Sequence, residues 1–146
     1  MSAYYGIGIY NCKKEVNVGT LWRSAFILGA AYIFTVGARY KHQSSDTVKA
    51  YRSIPFFQFD TFDDFKKHLP RECVLVGIEI AENSEMLARF AHPKQACYLL
   101  GAEDNGIPII ALEQCHKVVR LPGDYCLNVS TAGSIVMYDR ITRGTL

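Results

Sequence analysis

The sequence lacks the cysteine, histidine and hydrophobic patterns that mark several large protein classes. Its five cysteines form no Cys-x-x-Cys pair, and no histidine lies at zinc-ligand spacing, so neither a disulfide framework nor a zinc site is expected. Residues 1–11 show neither the basic start nor the cleavage pattern of a signal peptide. The longest apolar stretch without charge, residues 24–38, is shorter than the roughly 20 residues that a membrane span needs. The expected compartment is therefore the reducing cytoplasm.

A strong excess of charge is also missing. The 146 residues include 16 Lys and Arg against 14 Asp and Glu, and a net charge of +2 does not by itself indicate a nucleic-acid-binding protein. With 49% hydrophobic residues, 11 glycines and 5 prolines, the chain is neither intrinsically disordered nor collagen-like. Its length suits one domain, residues 1–146, whose core is large enough to need no disulfide or metal.

The basic residues are unevenly distributed along the chain. Residues 1–75 carry ten basic and six acidic side chains, whereas residues 76–146 carry six and eight. The excess is concentrated in residues 37–53, and two interpretations of this segment remain open. It is either a solvated loop and helix face or a patch that contacts phosphates. Its basic side chains are Arg39, Lys41, Lys49 and Arg52.

Short apolar runs alternate with helical patterns along the whole chain. A helical stripe covers residues 18–29, Thr61 and Asp64 form a capping pair, and a last helix is predicted over residues 128–143. Several of the strand-like runs are apolar on both faces, which is typical of a parallel sheet covered on both sides. The prediction is an α/β fold, with a mostly parallel sheet and helices on both faces. The predicted strands are Tyr4–Tyr10, Tyr32–Val36, Phe56–Phe59, Val74–Glu79, Cys97–Leu100 and Lys117–Leu121.

Polar or glycine-rich loops follow three of these strands, at residues 11–19, 101–108 and 120–128. Ligands of open parallel sheets bind at this end of the strands. The second loop lacks the Gly-Lys-Ser/Thr of a phosphate-binding loop, and the dinucleotide fingerprint is absent. None of the four histidines falls in these loops, so a histidine-based hydrolase is not indicated. Gly101, at the end of its strand, would let the backbone approach a ligand closely.

Three side chains near these loops allow two interpretations each. Arg23 lies on a largely apolar helix, where it either pairs with an anion or extends from the helix edge into water. Glu103, in a glycine-flanked turn, is the candidate partner, or an ordinary turn residue. Asn128 is a good helix N-cap and could also serve the site.

Taken together, the three loops resemble the three motifs of the SpoU/TrmH family of RNA ribose 2′-O-methyltransferases, in the SPOUT superfamily. Motif one is matched by Asn17-x-Gly19-x-x-x-Arg23, and motif two by Leu99-Leu100-Gly101-Ala102-Glu103-x-x-Gly106-Ile107-Pro108. Motif three is matched by Val119-x-Leu121-Pro122 followed by Leu127-Asn128-Val129-Ser130. The resemblance implies a C-terminal trefoil knot, S-adenosylmethionine as cofactor, tRNA or rRNA as substrate, and a homodimer with the site near the subunit interface.

The resemblance also implies roles for individual residues. Arg23 would grip RNA phosphate and stabilise the developing alkoxide, because its guanidinium stays protonated. Glu103 would orient Arg23 or the motif-one loop containing Asn17, and Asn128 would fix loop geometry or reach the substrate. Where the family commonly has serine, this chain has Cys126, a weaker hydrogen-bond donor. The expected cofactor-binding residues are Ile78, Gly101, Leu121, Cys126 and Leu127; the expected RNA-binding residues are Arg39, Lys41, Lys49 and Arg52.

Two alternatives to this function remain open. One is an RNA-binding homodimer of the same fold that has lost turnover. The other is a methyltransferase of this superfamily that acts on a base. Intact Arg23, Glu103 and Asn128 favour an active ribose methyltransferase, whereas Cys126 weakens that inference.

Overall fold

The structure is a computed structural model that describes residues 2–37 and 53–146. Within these residues the chain forms one seven-stranded sheet, four α-helices and a 3₁₀ turn at Leu87–Arg89. The strands are β1 (Tyr4–Tyr10), β2 (Tyr32–Val36), β3 (Phe56–Phe59), β4 (Val74–Ile78), β5 (Glu85–Met86), β6 (Gln95–Leu100) and β7 (Lys117–Arg120). The helices are α1 (Glu15–Ile27), α2 (Phe62–His68), α3 (Ile109–Glu113) and α4 (Val129–Arg143).

The strand order is β3-β2-β1-β6-β4-β7-β5, and each pairing between the described strands is parallel. In register, Ile7 of β1 lies beside Ile33 of β2 and Tyr98 of β6. The carboxyl ends of β1, β6, β4 and β7 therefore meet at one edge of the sheet, which brings the loops that follow them together. The predicted α/β fold with a mostly parallel sheet is confirmed.

Buried side chains form a core on each face of the sheet. On one face, Ile7 and Ile9 of β1 pack with residues of α1 and α4; on the other, Phe34 and Leu75 pack with residues of α2 and α3. Helices cover both faces, as predicted. The strand β1 has glycines at positions 6 and 8 because the rings of Tyr32 and Phe34 occupy the space that a Cβ atom would need.

The six predicted strands are present: β1, β2 and β3 have the predicted ends, and β4, β6 and β7 differ at one end by one or two residues. Strand β5, helix α3 and the 3₁₀ turn at Leu87–Arg89 were not predicted. Strand β5 has only two residues, pairs at the sheet edge with β7, and carries no apolar run. Helix α3 has five residues and begins after Pro108, which is too short for helical periodicity to be visible. The predicted cap of α2 is confirmed, since Thr61 Oγ1 accepts a 3.0 Å hydrogen bond from the amide of Asp64.

The C-terminal end of α4 is held by a buried polar cluster. The side chain of Arg140, 4% exposed, donates hydrogen bonds to the carbonyls of Pro93 and Lys94 and to the hydroxyl of Tyr98. The Tyr98 hydroxyl donates to Nδ1 of His92 at 2.7 Å, and Nε2 of His92 donates to Asp139 at 2.7 Å. A neutral imidazole satisfies both of these bonds, so the cluster ties α4 to β6 without a charge on His92.

This cluster predicts an acid-sensitive fold. Burial lowers the pKa of His92 below its ordinary 6.5, so the unfolded chain takes up a proton at pH values where the folded chain does not. The contribution of His92 to the free energy of unfolding is then fully present above about pH 6.5. It falls on acidification, by at most about 1.4 kcal/mol per pH unit for one proton. Asp139 does not contribute in this range, because hydrogen bonds from Arg143 and His92 lower its pKa below 3.8 and its stabilisation is lost only beneath that value.

Urea unfolding between about pH 7.5 and about pH 5.5 measures this slope. The variant His92→Gln should lose most of the slope, whereas His68→Gln, at an exposed histidine of α2, should keep it. An unchanged slope in His92→Gln would show that other groups cause the acid sensitivity.

Candidate functional site

A chain of side-chain hydrogen bonds joins the three loops singled out in the sequence. Asn17, 3% exposed in the first turn of α1, donates from Nδ2 to Glu103 Oε2 at 2.5 Å. Its Oδ1 accepts from Asn128 Nδ2 at 3.1 Å. One buried amide therefore connects the loops after β1, β6 and β7, and its donor and acceptor are both used.

Glu103 holds the loop after β1. Besides the bond from Asn17, its Oε1 accepts a 3.0 Å bond from the backbone amide of Lys13. Of the two roles expected for Glu103, the structure shows contact with the motif-one loop. No hydrogen bond or ion pair joins Glu103 to Arg23 within residues 2–37 and 53–146. Both carboxylate oxygens are already engaged, and Arg23 is exposed on α1, where water solvates its guanidinium.

Asn128 caps helix α4. Its Oδ1 accepts from the amide of Thr131 at 3.1 Å and from the hydroxyl of Ser130 at 2.7 Å. The N-cap interpretation is confirmed, and Nδ2 of the same side chain donates the bond to Asn17. Asn128 thus caps α4 and contacts Asn17 with different atoms.

The loop after β6 is folded tightly at two glycines. Gly106 has a φ of 66°, a left-handed conformation that favours glycine, and its amide bonds to the carbonyl of Ala102 at 3.0 Å. A Cβ atom on Gly101 would lie well under 3.0 Å from the Gly106 backbone, so no other residue fits there without displacing the loop. Glu79, at the end of β4, accepts a 2.7 Å bond from the amide of Ile107.

A cavity of about 400 Å³ opens where these loops meet, within the roughly 300–1,000 Å³ typical of small-molecule sites. Its lining combines apolar side chains with backbone at Gly101, and it includes Glu103 and Asn128. Arg23 and Asn17 do not line it, since Asn17 lies behind Glu103 and Arg23 extends from α1. The cavity also contains each position expected to bind cofactor: Ile78, Gly101, Leu121, Cys126 and Leu127.

The lining residues that were given no site role from the sequence include three polar ones. They are Glu79, Arg120 and Tyr125, the last of which is 88% exposed. Their place in the sequence could have indicated them, because each lies within a few residues of the end of a predicted strand. The expected RNA-binding residues Arg39, Lys41, Lys49 and Arg52 lie outside the described residues.

The described part of the chain holds no group of three or more His, Cys, Asp or Glu side chains that could bind a metal ion. Its helices are also too short or too polar to cross a membrane.

Comparison with known proteins gives a consistent family assignment. The family model described as SpoU rRNA Methylase matches residues 6–138. A curated relative, the mouse tRNA (guanosine(18)-2′-O)-methyltransferase TARBP1, is 25% identical over 139 residues, which cover 86% of this chain and 8% of the mouse protein. The chain thus spans less than a tenth of the length of that relative.

Solved structures show the same fold. The AdoMet-bound rRNA methyltransferase from Sinorhizobium meliloti superposes with a TM-score of 0.86 at 22% identity, covering 98% of this chain and 57% of that one. A structure from work on 2-OH methylation of C/U34 on tRNA gives 0.83 at 21% identity, with 97% of both chains covered. The A. aeolicus TrmH/SpoU tRNA modifying enzyme gives 0.81 at 19% identity, covering 97% and 76%. Together with the motif loops and the family-model match, these findings show that the chain belongs to the SpoU rRNA Methylase family.

Proposed function

We propose that the protein transfers a methyl group from S-adenosylmethionine to a ribose 2′-hydroxyl of tRNA or rRNA. The observation that carries this proposal is the cavity, because it collects the five positions that match the family's cofactor residues. The hydrogen-bond chain from Glu103 through Asn17 to Asn128 supports it, since it fixes the three motif loops around that cavity.

The residues present fit the cofactor. Ile78, Leu121 and Leu127 offer apolar surface for a purine, and Gly101 contributes backbone to the lining at a point where a Cβ atom would displace the loop. Bound there, the cofactor supplies an activated methyl group on its sulfonium. The protein's own contribution is to hold that methyl in line with the ribose oxygen, an orientation effect worth up to roughly 7–11 kcal/mol in well-ordered systems.

Arg23 is proposed to act on the RNA rather than on the cofactor. Its guanidinium stays protonated at any physiological pH, so it cannot take the proton of the ribose hydroxyl. It can bind a phosphate through paired hydrogen bonds and stabilise the negative charge that develops on the 2′-oxygen. Its exposure on α1 leaves it accessible to RNA. Arg39, Lys41, Lys49 and Arg52 are proposed to add phosphate contacts.

Arg23 does not line the cavity of its own chain, and this supports a homodimer. Along α1, Val16, Thr20, Arg23 and Ile27 recur at helical spacing and are exposed, Val16 and Ile27 by 68% and 66%. On α4, Tyr138 beside Thr20 is 62% exposed. A second copy of the chain packed on this face would cover the apolar side chains and could bring Arg23 of one subunit to the cavity of the other.

Two further parts of the proposal come from the family resemblance and the composition. The C-terminal trefoil knot is one of them. The other is a cytoplasmic location, where the five cysteines would stay reduced.

Methyl transfer from labelled S-adenosylmethionine to total tRNA and rRNA tests the proposed function. The expected result is incorporation into one RNA class, with loss of transfer when the target ribose is replaced by deoxyribose. Transfer that survives the deoxyribose replacement would indicate a base methyltransferase. Absence of transfer to any RNA, with RNA still bound, would indicate an RNA-binding dimer without turnover.

A further inference from the structure

Glu79 makes a contact that none of the roles described above uses. Its backbone amide bonds to the carbonyl of Val119 at 3.0 Å, so Glu79 continues the ladder of β4 and its side chain starts from a fixed point. From there Oε1 accepts a 2.7 Å hydrogen bond from the amide of Ile107, at the far end of the loop after β6. The bond therefore connects the residue that follows β4 to the end of the loop that follows β6, beside the cavity.

The loop between Gly101 and Ile107 is compressed from both sides. Its Gly106 backbone lies so close to Gly101 that a Cβ atom at residue 101 would come well under 3.0 Å from it. On its other side, a Cβ atom on Gly106 would meet the Glu79 carboxylate equally closely. The loop is thus held between Gly101, which follows β6, and the carboxylate of Glu79, which accepts a hydrogen bond from the amide of Ile107.

The shape of this loop determines the cavity. Each residue from Gly101 to Gly106 lines it, together with Glu79 itself. In the alternative, the bond only satisfies the backbone amide of the buried residue Ile107. Loss of the bond would then leave cofactor binding unaffected as long as the chain folds. The two possibilities therefore differ in a measurable quantity.

We propose that Glu79 is a positioning residue, whose carboxylate holds the Ile107 amide and thereby fixes the 101–107 loop in the conformation that binds S-adenosylmethionine. This inference rests on the proposed function. It does not require Glu79 to touch the cofactor. An uncharged acceptor of the same length should therefore replace it.

The test compares Glu79→Ala and Glu79→Gln with Glu82→Ala, a control at an exposed glutamate outside the cavity lining. Calorimetry measures S-adenosylmethionine affinity, and amide hydrogen exchange measures protection of the Ile107 amide. Glu79→Ala should bind about tenfold more weakly, the size expected for losing one charge-assisted hydrogen bond, and should exchange the Ile107 amide faster. Glu79→Gln should stay within about threefold of the wild type, because its side-chain carbonyl still accepts the bond. Glu82→Ala should match the wild type in both measurements.

Three outcomes would overturn the inference. Faster Ile107 exchange in Glu79→Ala with unchanged affinity would show that the bond does not control cofactor binding. Equal weakening in Glu79→Ala and Glu79→Gln, with the Ile107 amide still protected in Glu79→Gln, would show that the charge acts on the ligand directly. A wild-type protein that binds no S-adenosylmethionine would overturn the proposed function and this inference with it. If the wild type binds the cofactor, either of the first two outcomes contradicts only the inference about Glu79.

Discussion

Replacing Arg23 by alanine is expected to slow methyl transfer to RNA by about 100- to 1,000-fold, the effect of removing one group that stabilises developing negative charge. Cofactor affinity should not change, because Arg23 is proposed to act on the RNA and does not line the cavity of its own chain. Arg23→Lys should recover only part of the rate, since an ammonium keeps the charge but not the paired hydrogen bonds to a phosphate. Single-turnover rates with saturating cofactor, together with calorimetry, measure the two effects separately.

The matched control is Arg89→Ala, at another exposed arginine that does not line the cavity. It should keep the wild-type rate, which would show that loss of one positive charge is not sufficient to slow transfer. A wild-type rate in Arg23→Ala would remove Arg23 from the reaction. Weaker cofactor binding in Arg23→Ala would place its effect on the cavity instead of the RNA.

The fold was largely predictable because its central strands, β2, β1, β6 and β4, are buried on both faces. Runs such as Val74–Ile78 are continuously apolar, and turn residues on either side mark where they end. The glycines of β1 were harder to interpret, since only the structure shows that the rings of Tyr32 and Phe34 replace their side chains. Strand β5 could not be predicted, because a two-residue edge pairing requires a partner that sequence patterns do not reveal. The C-terminal trefoil knot stays a prediction from resemblance.

The site was predictable in its position but not in its contacts. Parallel strands bring the loops that follow them to one edge, so the loops that contain Glu103 and Asn128 were expected at the same edge of the sheet. Sequence spacing did not reveal which residue pairs with Glu103. It was a candidate partner for Arg23, yet it accepts bonds from the side chain of Asn17 and from the backbone amide of Lys13. Burial of Asn17 also required the structure, because its neighbours Glu15 and Val16 are exposed. The roles assigned to these residues stay predictions.

Replacing Gly101 by valine is expected to weaken S-adenosylmethionine binding by about 10- to 100-fold, with methyl transfer strongly reduced at subsaturating cofactor concentrations. The valine Cβ would overlap the Gly106 backbone and force the 101–107 loop out of its conformation, and such overpacking typically costs about 1–3 kcal/mol. Calorimetry measures the affinity. Circular dichroism and thermal melting test whether the variant folds. Folding is expected because Gly101 follows β6 and lies outside the two core clusters. Wild-type affinity in a folded Gly101→Val would show that this loop does not form the cofactor site.

Together, the two variants distinguish whether Arg23 serves the cavity of its own chain or that of a second copy. A heterodimer of one Arg23→Ala and one Gly101→Val chain has an intact cavity on the first chain and an intact Arg23 on the second. If Arg23 acts across the interface, these combine into one complete site, and the heterodimer should show about half the wild-type rate per dimer. If Arg23 acts within its own chain, each site carries one defect and the heterodimer should be as inactive as both parents. Differently tagged, co-expressed chains purified through both tags provide the heterodimer, and failure to isolate it would contradict the proposed dimer itself. The exposed apolar residues beside Arg23 favour action across the interface. A second copy that covers this face of α1 would also contact Arg23.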